Sequence, residues 1–207
     1  MRRLLATALA LPLLLAGCGG QGGDQQPVDA QPGHPAQVDS PQLRHLKRQA
    51  GIADCTPPTA DGPAAEDPLP KVTLPCLGGG PDIRLAKLRG PMVINLWAQW
   101  CGPCREELPI YEELHQKGKG KVKVLGIDYL DNQPAQALQL AKQTGVTYPL
   151  LADPEGSLRA DFHVRGLPGV VFVDAQGRVT DVQYAVMSSY AQLRGLVQDR
   201  LGVRLPR

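Results

Sequence analysis

The chain has 207 residues, enough for one domain of roughly 150 residues plus additional sequence. Its 22 Lys and Arg against 20 Asp and Glu leave a net charge of +2, so no single-signed field argues for nucleic acid as a partner. The 23 Gly and 20 Pro are too many for one compact domain, which predicts an unstructured portion, and no apolar run reaches the roughly 20 residues of a membrane-spanning helix.

The front end reads as a targeting segment. Met1-Arg2-Arg3 is a short basic start, and 4–16 is apolar apart from Thr7 and Pro12. This run is too short to span a bilayer but has the layout of a secretory signal. It ends Leu15-Ala16-Gly17-Cys18, which resembles the lipobox of bacterial lipoproteins. That resemblance implies cleavage before Cys18, acylation of Cys18 and attachment to a membrane outside the cytoplasm, with residues 1–17 as the signal peptide. The bland alternative is an ordinary signal peptide with an incidental cysteine.

Residues 18–67 carry most of the surplus Gly, Pro and Gln and read as a flexible spacer. Leu43, Leu46 and Ala50 have helical spacing within 40–50, but Pro41 and the flanking composition keep this stretch inside the spacer. The compact domain is expected over 68–207.

From residue 72 the pattern alternates strand and helix. Runs 72–74 and 83–85 read as two short strands around Gly78-Gly79-Gly80-Pro81. The dense apolar run 92–97 suits the middle of a sheet. Helical spacing follows over 106–117, with Leu108, Tyr111 and Leu114 on one face and a kink expected at Pro109. The charged run 117–121 reads as a solvated turn. A second central strand is expected over 122–128, a helix opened by Pro134 over 134–144, and a helical turn over 158–162. Strands 170–173 and 179–184 flank the turn Asp174-Ala175-Gln176-Gly177-Arg178, and Ser188 or Ser189 caps a last helix to about Leu201. This order describes an α/β three-layer sandwich around a mixed sheet.

Cysteine carries the chemistry. Trp100-Cys101-Gly102-Pro103-Cys104 follows a buried strand and heads a helix. Two intervening residues bring both sulfurs to the first helical turn, where unpaired N–H groups and positive potential favour a thiolate. The first cysteine then becomes the nucleophile and the deeper second one resolves the mixed disulfide. Half a zinc site is the rival reading of such a pair, but His34, His45, His115 and His163 are scattered and no second close cysteine pair exists. No metal and no cofactor beyond the redox pair is expected. Cys55 and Cys76 remain; in an oxidising compartment they pair as a structural disulfide closing a loop of about 20 residues. Two free thiols, or a pair that exchanges with Cys101 and Cys104, stay open.

The stretch Asn95-Leu96-Trp97-Ala98-Gln99-Trp100-Cys101-Gly102-Pro103-Cys104-Arg105-Glu106-Glu107-Leu108-Pro109 resembles the active-site segment of thioredoxin-fold proteins, and more narrowly the TlpA/ResA-type extracytoplasmic thiol–disulfide oxidoreductases. The resemblance runs from about residue 68 to the end. It implies a thioredoxin-like fold with an N-terminal β-hairpin and an extra helical segment over 131–148. It implies Cys101 as the attacking thiol, Cys104 as the resolving thiol, and Pro168 as a cis-proline facing them, with Leu167 pairing with an extended substrate segment. Trp100, Gly102 and Pro103 would form the rest of the substrate-contacting surface. Glu107 matches a family acid that manages protons, whereas Glu106 reads as a first-turn acid. Asn95 stands where cytoplasmic thioredoxins carry a buried Asp.

The implied activity is membrane-tethered exchange of disulfides with partner proteins, as a reductant; the family includes reductants of c-type cytochrome maturation, so apocytochrome c is an implied substrate. Such a reductant needs electrons from a membrane thiol relay. A monomer is the default. A disulfide-forming oxidase of the same fold is the first alternative. A peroxidase on the same general fold would need a lone peroxidatic cysteine near Thr and Arg. A Cu(I)-carrying lipoprotein is the alternative outside enzymology.

Overall fold

The computed structural model describes residues 36–57 and 68–207; the expected signal peptide, Cys18 and most of the expected spacer lie outside the described residues. A mixed sheet of five strands forms the centre. Strand β3 (Met92–Trp97) lies in its middle, parallel to β4 (Lys123–Tyr129) and antiparallel to β6 (Gly169–Val173). Strand β5 (Leu150–Asp153) adds in parallel outside β4, and β7 (Val179–Gln183) adds antiparallel outside β6. All six residues of β3 are buried, as the unbroken apolar run requires of a strand covered on both faces. A separate hairpin pairs β1 (Thr73–Leu74) with β2 (Ile83–Arg84).

Two apolar clusters sandwich the sheet. One joins Val93, Trp97, Tyr148 and Phe172 to the inner faces of α2 (Gly102–Lys117), α3 (Pro134–Gln143) and α4 (Tyr190–Leu201). The other joins Ile94, Leu96, Ile127 and Val171 to Leu85, Leu158 and Phe162. Gly126 is opposite Asn95 in the β3–β4 register, and a Cβ there would lie 3.1 Å from Trp97 Nε1 and 2.5 Å from Leu150 Cδ2. The bare backbone at Gly126 makes room for the Trp97 ring just before the active-site segment.

The three-layer α/β sandwich is as expected, and three differences have physical causes. Strand β5 lies outside the expected elements: it is four residues long, follows Pro149 and holds no β-branched residue, so only its pairing with β4 makes it a strand. Helix α2 begins four residues before the expected start and runs through Pro109 without interruption. Residues 36–57 are packed rather than part of a flexible spacer. Helix α1 (Pro41–Ala50) is N-capped by Ser40, whose Oγ accepts the Leu43 N–H, and closed by Gly51 at φ 71°. Pro41 occupies the first helical position, where the missing N–H costs nothing. Leu43 and Ile52 are buried in the cluster that holds α3, and the Ala53 N–H donates to Thr147 O. The compact domain therefore includes α1, and a lower bound of residue 68 is too late.

Candidate active site

The site forms beyond the carboxyl end of β3. The chain leaves Trp97, runs through Ala98–Trp100 and enters α2 with Cys101 as its N-cap. Cys101 Sγ accepts the Cys104 backbone N–H at 3.3 Å, a donor that a helix start leaves unpaired. The two cysteines form a disulfide with Cα atoms 5.3 Å apart. Cys104 is fully buried and Cys101 nearly so. Pro103 lies within the first turn, where its fixed φ suits the helix and its missing N–H costs nothing.

The β4–α3 connection holds the segment before Cys101. Asp131 Oδ2 accepts the Gln99 N–H at 2.9 Å, and Leu130 O accepts the Trp100 indole N–H at 3.1 Å. Gln99 O in turn accepts Arg105 Nε at 2.8 Å. Both residues ahead of the nucleophile are thus fixed, while the Trp100 ring remains 54% exposed, the largest exposed apolar side chain of the described residues. Sequence reasoning missed Asp131 and Gln99; an isolated Asp in a polar loop carries no pattern that would single it out.

On α2, Glu107 follows Cys104 by three residues and so shares its buried face, with Leu108, Tyr111 and Leu114. The Met187 N–H donates to Glu107 Oε1, whereas Oε2 is buried without a partner. Burial pushes this carboxyl up to about 7, against the smaller downward pull of the Met187 N–H. Asp128, at the end of β4 beside Trp97, is pushed well above the usual carboxylate range by burial and then by the neighbouring Asp131 charge. Asn95 is buried in β3 with both side-chain polar atoms unpaired.

The Leu167–Pro168 peptide bond is cis. Leu96 pairs with Gly169, which puts this bond beyond the same end of β3 from which the chain runs to Cys101, and Leu167 packs against the cluster that contains both cysteines. The structure therefore brings Trp100, Cys101, Gly102, Pro103, Cys104, Glu107, Leu167 and Pro168 to one end of the sheet. Cys55 and Cys76 are bridged to each other away from it, with Cα atoms 6.0 Å apart. A second cis bond, Gly90–Pro91, lies at the opposite end of β3, where the sequence carries no signal for it. Among the described residues, no group of three or more His, Cys, Asp or Glu is arranged to hold a metal ion, and no helix is long and apolar enough to cross a membrane.

A central mixed sheet with a bridged cysteine pair capping the helix after its middle strand defines a thioredoxin-like redox protein. The chain belongs to the AhpC/TSA family, whose family model matches residues 65–182. It is 35% identical over 121 residues to "Thiol:disulfide interchange protein DsbE" of Pseudomonas fluorescens biotype C, a match covering 58% of this chain and 66% of the relative. It is also 35% identical over 113 residues to "Thiol:disulfide interchange protein HelX" of Rhodobacter capsulatus, covering 53% and 62%. The matches thus span a little under two thirds of these curated relatives. A solved DsbF homologue from Corynebacterium diphtheriae superimposes with TM-score 0.57 at 26% identity, covering 72% of this chain and 99% of that one.

Proposed function

We propose that the chain is a thiol–disulfide oxidoreductase that exchanges disulfides with partner proteins through Cys101 and Cys104, working as a reductant. The observation that carries this reading is the placement of Cys101 as N-cap of α2, with the Cys104 N–H on its sulfur and Cys104 within bridging distance. A helix N-terminus stabilises the thiolate and so makes Cys101 the attacking group. The printed names of the relatives support the same exchange chemistry.

In the reducing direction, the Cys101 thiolate attacks a partner disulfide, forming a mixed disulfide and expelling one partner thiolate. Cys104, as thiolate, then attacks Cys101 Sγ, closing the internal bridge and releasing the second partner sulfur. Two electrons pass to the partner, which takes up two protons. Cys104 is fully buried, so its proton needs a local acceptor. Glu107, on the same helix face and titrating near 7, is that acceptor. The exposed Trp100 ring, with Gly102, Pro103 and the Leu167–Pro168 edge, receives an extended partner segment.

The finer reading follows from the sequence resemblance. The chain is attached to a membrane outside the cytoplasm through acylated Cys18 and acts on a mis-oxidised protein such as apocytochrome c. It is recharged by a membrane thiol relay and works as a monomer. The Gly102-Pro103 dipeptide, shared with thioredoxin, favours a reductant.

Equilibration of the full chain with graded redox buffers, followed by Trp fluorescence, tests this. A potential near or below about −250 mV is expected. A value near about −120 to −180 mV overturns the reducing direction and makes the protein a disulfide-forming oxidase. Insulin reduction run beside a Cu(I) titration separates both from metal carriage: no turnover with tight 1:1 metal binding overturns the exchange reading.

A further inference from the structure

The second bridge has an asymmetry that a purely structural staple does not need. Lys47, on α1, is only 3% exposed. Its Nζ lies 3.2 Å from Cys76 Sγ, 2.9 Å from Gly79 O and 3.1 Å from Asp54 Oδ1. The glycine turn after Cys76 packs on the Lys47 stem and turns Gly79 O onto its amine. Gly78 and Gly79 have φ of 75° and 91°, and a Cβ on Gly78 would come within 2.9 Å of Lys47 Cβ. Asp54 is an exposed carboxylate, so it steadies the ammonium from the solvent side and leaves its inner face on the sulfur.

Cys55, the other half of the bridge, has a different setting. It lines a cleft of about 570 Å³ whose floor includes Ile83, Met92 and Val124. This cleft lies at the end of β3 away from Cys101, because Met92 and Lys123 begin their strands there. Cys76 is not among the residues that line it. One cysteine of the bridge thus borders a cleft wide enough for a small molecule, and the sulfur of the other is held against a buried cation.

We propose that Cys55–Cys76 is a second thiol–disulfide exchange centre, opened with fixed polarity by a low-molecular-weight thiol entering the cleft. The thiolate of that molecule attacks Cys55 Sγ, a new S–S bond forms there, and the Cys55–Cys76 bond breaks with its electron pair left on Cys76. Lys47 receives the Cys76 thiolate as an ion pair. A thiolate stabilised in this way is the better leaving group, which sets the direction of cleavage. A second equivalent of the thiol then attacks the mixed disulfide on Cys55. Two small thiols are oxidised to their disulfide while the cysteine pair is reduced. Opening unties residue 55, just beyond α1, from the outer edge of β5, where Cys76 bridges to Leu151.

The test uses the full chain with Cys101→Ser and Cys104→Ser, so that one described bridge remains, treated with glutathione, quenched with an alkylating reagent and mapped by peptide mass spectrometry. The expected first product carries glutathione on Cys55 and the alkyl group on Cys76. Glutathione on Cys76 overturns the proposal, and this outcome needs no change at Lys47. Adding Lys47→Met is expected to slow opening at least about tenfold, while Lys47→Arg, which keeps the cation, stays within about threefold of the parent. Opening of the Lys47→Met chain at the parent rate or faster also overturns it.

Discussion

The two cystines are buried to the same degree and bridge cysteines of one domain, yet their surroundings divide the labour between them. Cys101 sits at a helix N-terminus beside an exposed Trp and a cis-proline edge, with a titratable acid three residues beyond its partner. That arrangement suits the proposed exchange with another protein. Cys55 and Cys76 instead join two pieces of irregular chain along β5, the edge strand of the sheet. The segment 75–77 covers that edge, with the Leu77 N–H donating to Leu150 O and Pro75 O accepting the Ala152 N–H. An exposed strand edge invites pairing with other chains, and this one is closed by a pinned loop. Solvent exposure of sulfur does not distinguish the two bridges; the groups aimed at each sulfur do.

The most severe way to break the comparison is Cys101→Ser. Insulin reduction is expected to fall by orders of magnitude, to the background of the assay, with the melting temperature little changed. Cys104→Ser loses turnover too, but retains Cys101 and accumulates mixed disulfides that affinity capture recovers. Recovery of free protein alone would remove the exchange mechanism.

Replacing the other pair, Cys55→Ala with Cys76→Ala, is expected to do the reverse. The bridge closes a loop with sequence separation 21, and loss of that restraint destabilises by about 3 kcal/mol in the chain-entropy account. Turnover at Cys101 is expected to stay within about twofold, as for a site without shared partners. Denaturant unfolding beside the insulin assay reads both quantities. A variant of unchanged stability that loses turnover would show the two bridges to be one system.

Glu107→Gln sharpens the active-site half. The folded carboxyl titrates near 7 against 4.5 for the free group, so the folded protein binds this proton more tightly than the unfolded chain. Its contribution is fully present below about pH 4.5 and is lost as pH rises through about 7. The parent chain should therefore lose roughly 2 kcal/mol across that window, less than full conversion of the shift because water relaxes part of the burial penalty. The Glu107→Gln chain should be flatter there. Its Cys101 titration, followed by thiolate absorbance at 240 nm, should also move; an unmoved curve removes Glu107 from the proton path.

The active-site end was legible because its parts are contiguous. The apolar run, Trp100, the cysteine pair and Pro109 stand in one stretch of sequence, and Pro168 stands just before the expected strand 170–173. What escaped is what tertiary pairing creates. Strand β5 has no β-branched residue and exists because β4 pairs with it. Asp131 acts through a backbone N–H 32 residues away, and Lys47 meets Cys76 across 29 residues. Neither contact leaves a local pattern. The clearest failure is α1. Proline at its first position and a polar flank argue for a loop by composition, while the Ser40 cap and the Leu43 contact with the core outweigh both.

That last point gives the smallest of the expected effects. Ser40→Ala removes the side-chain acceptor for the Leu43 N–H and costs about 1 kcal/mol where the helix end is otherwise fixed. Helix α1 is held at its far end by the Cys55–Cys76 bridge, which limits how far it can fray. In the chain lacking that bridge, α1 keeps its cap, its packing on α3, the Lys47 bond to Gly79 O and the Ala53 N–H bond to Thr147 O, but loses the covalent tie beyond its far end. The cap and the bridge then restrain one element, so their losses should not add: Ser40→Ala should alter local opening of α1 more in the bridge-free background than in the oxidised chain. Native-state hydrogen exchange at Arg44, whose N–H donates to Ser40 O, reads this directly. Equal protection changes in both backgrounds would mean that the bridge restrains only the edge of β5, and that the non-covalent contacts of α1 hold it to the domain without the bridge.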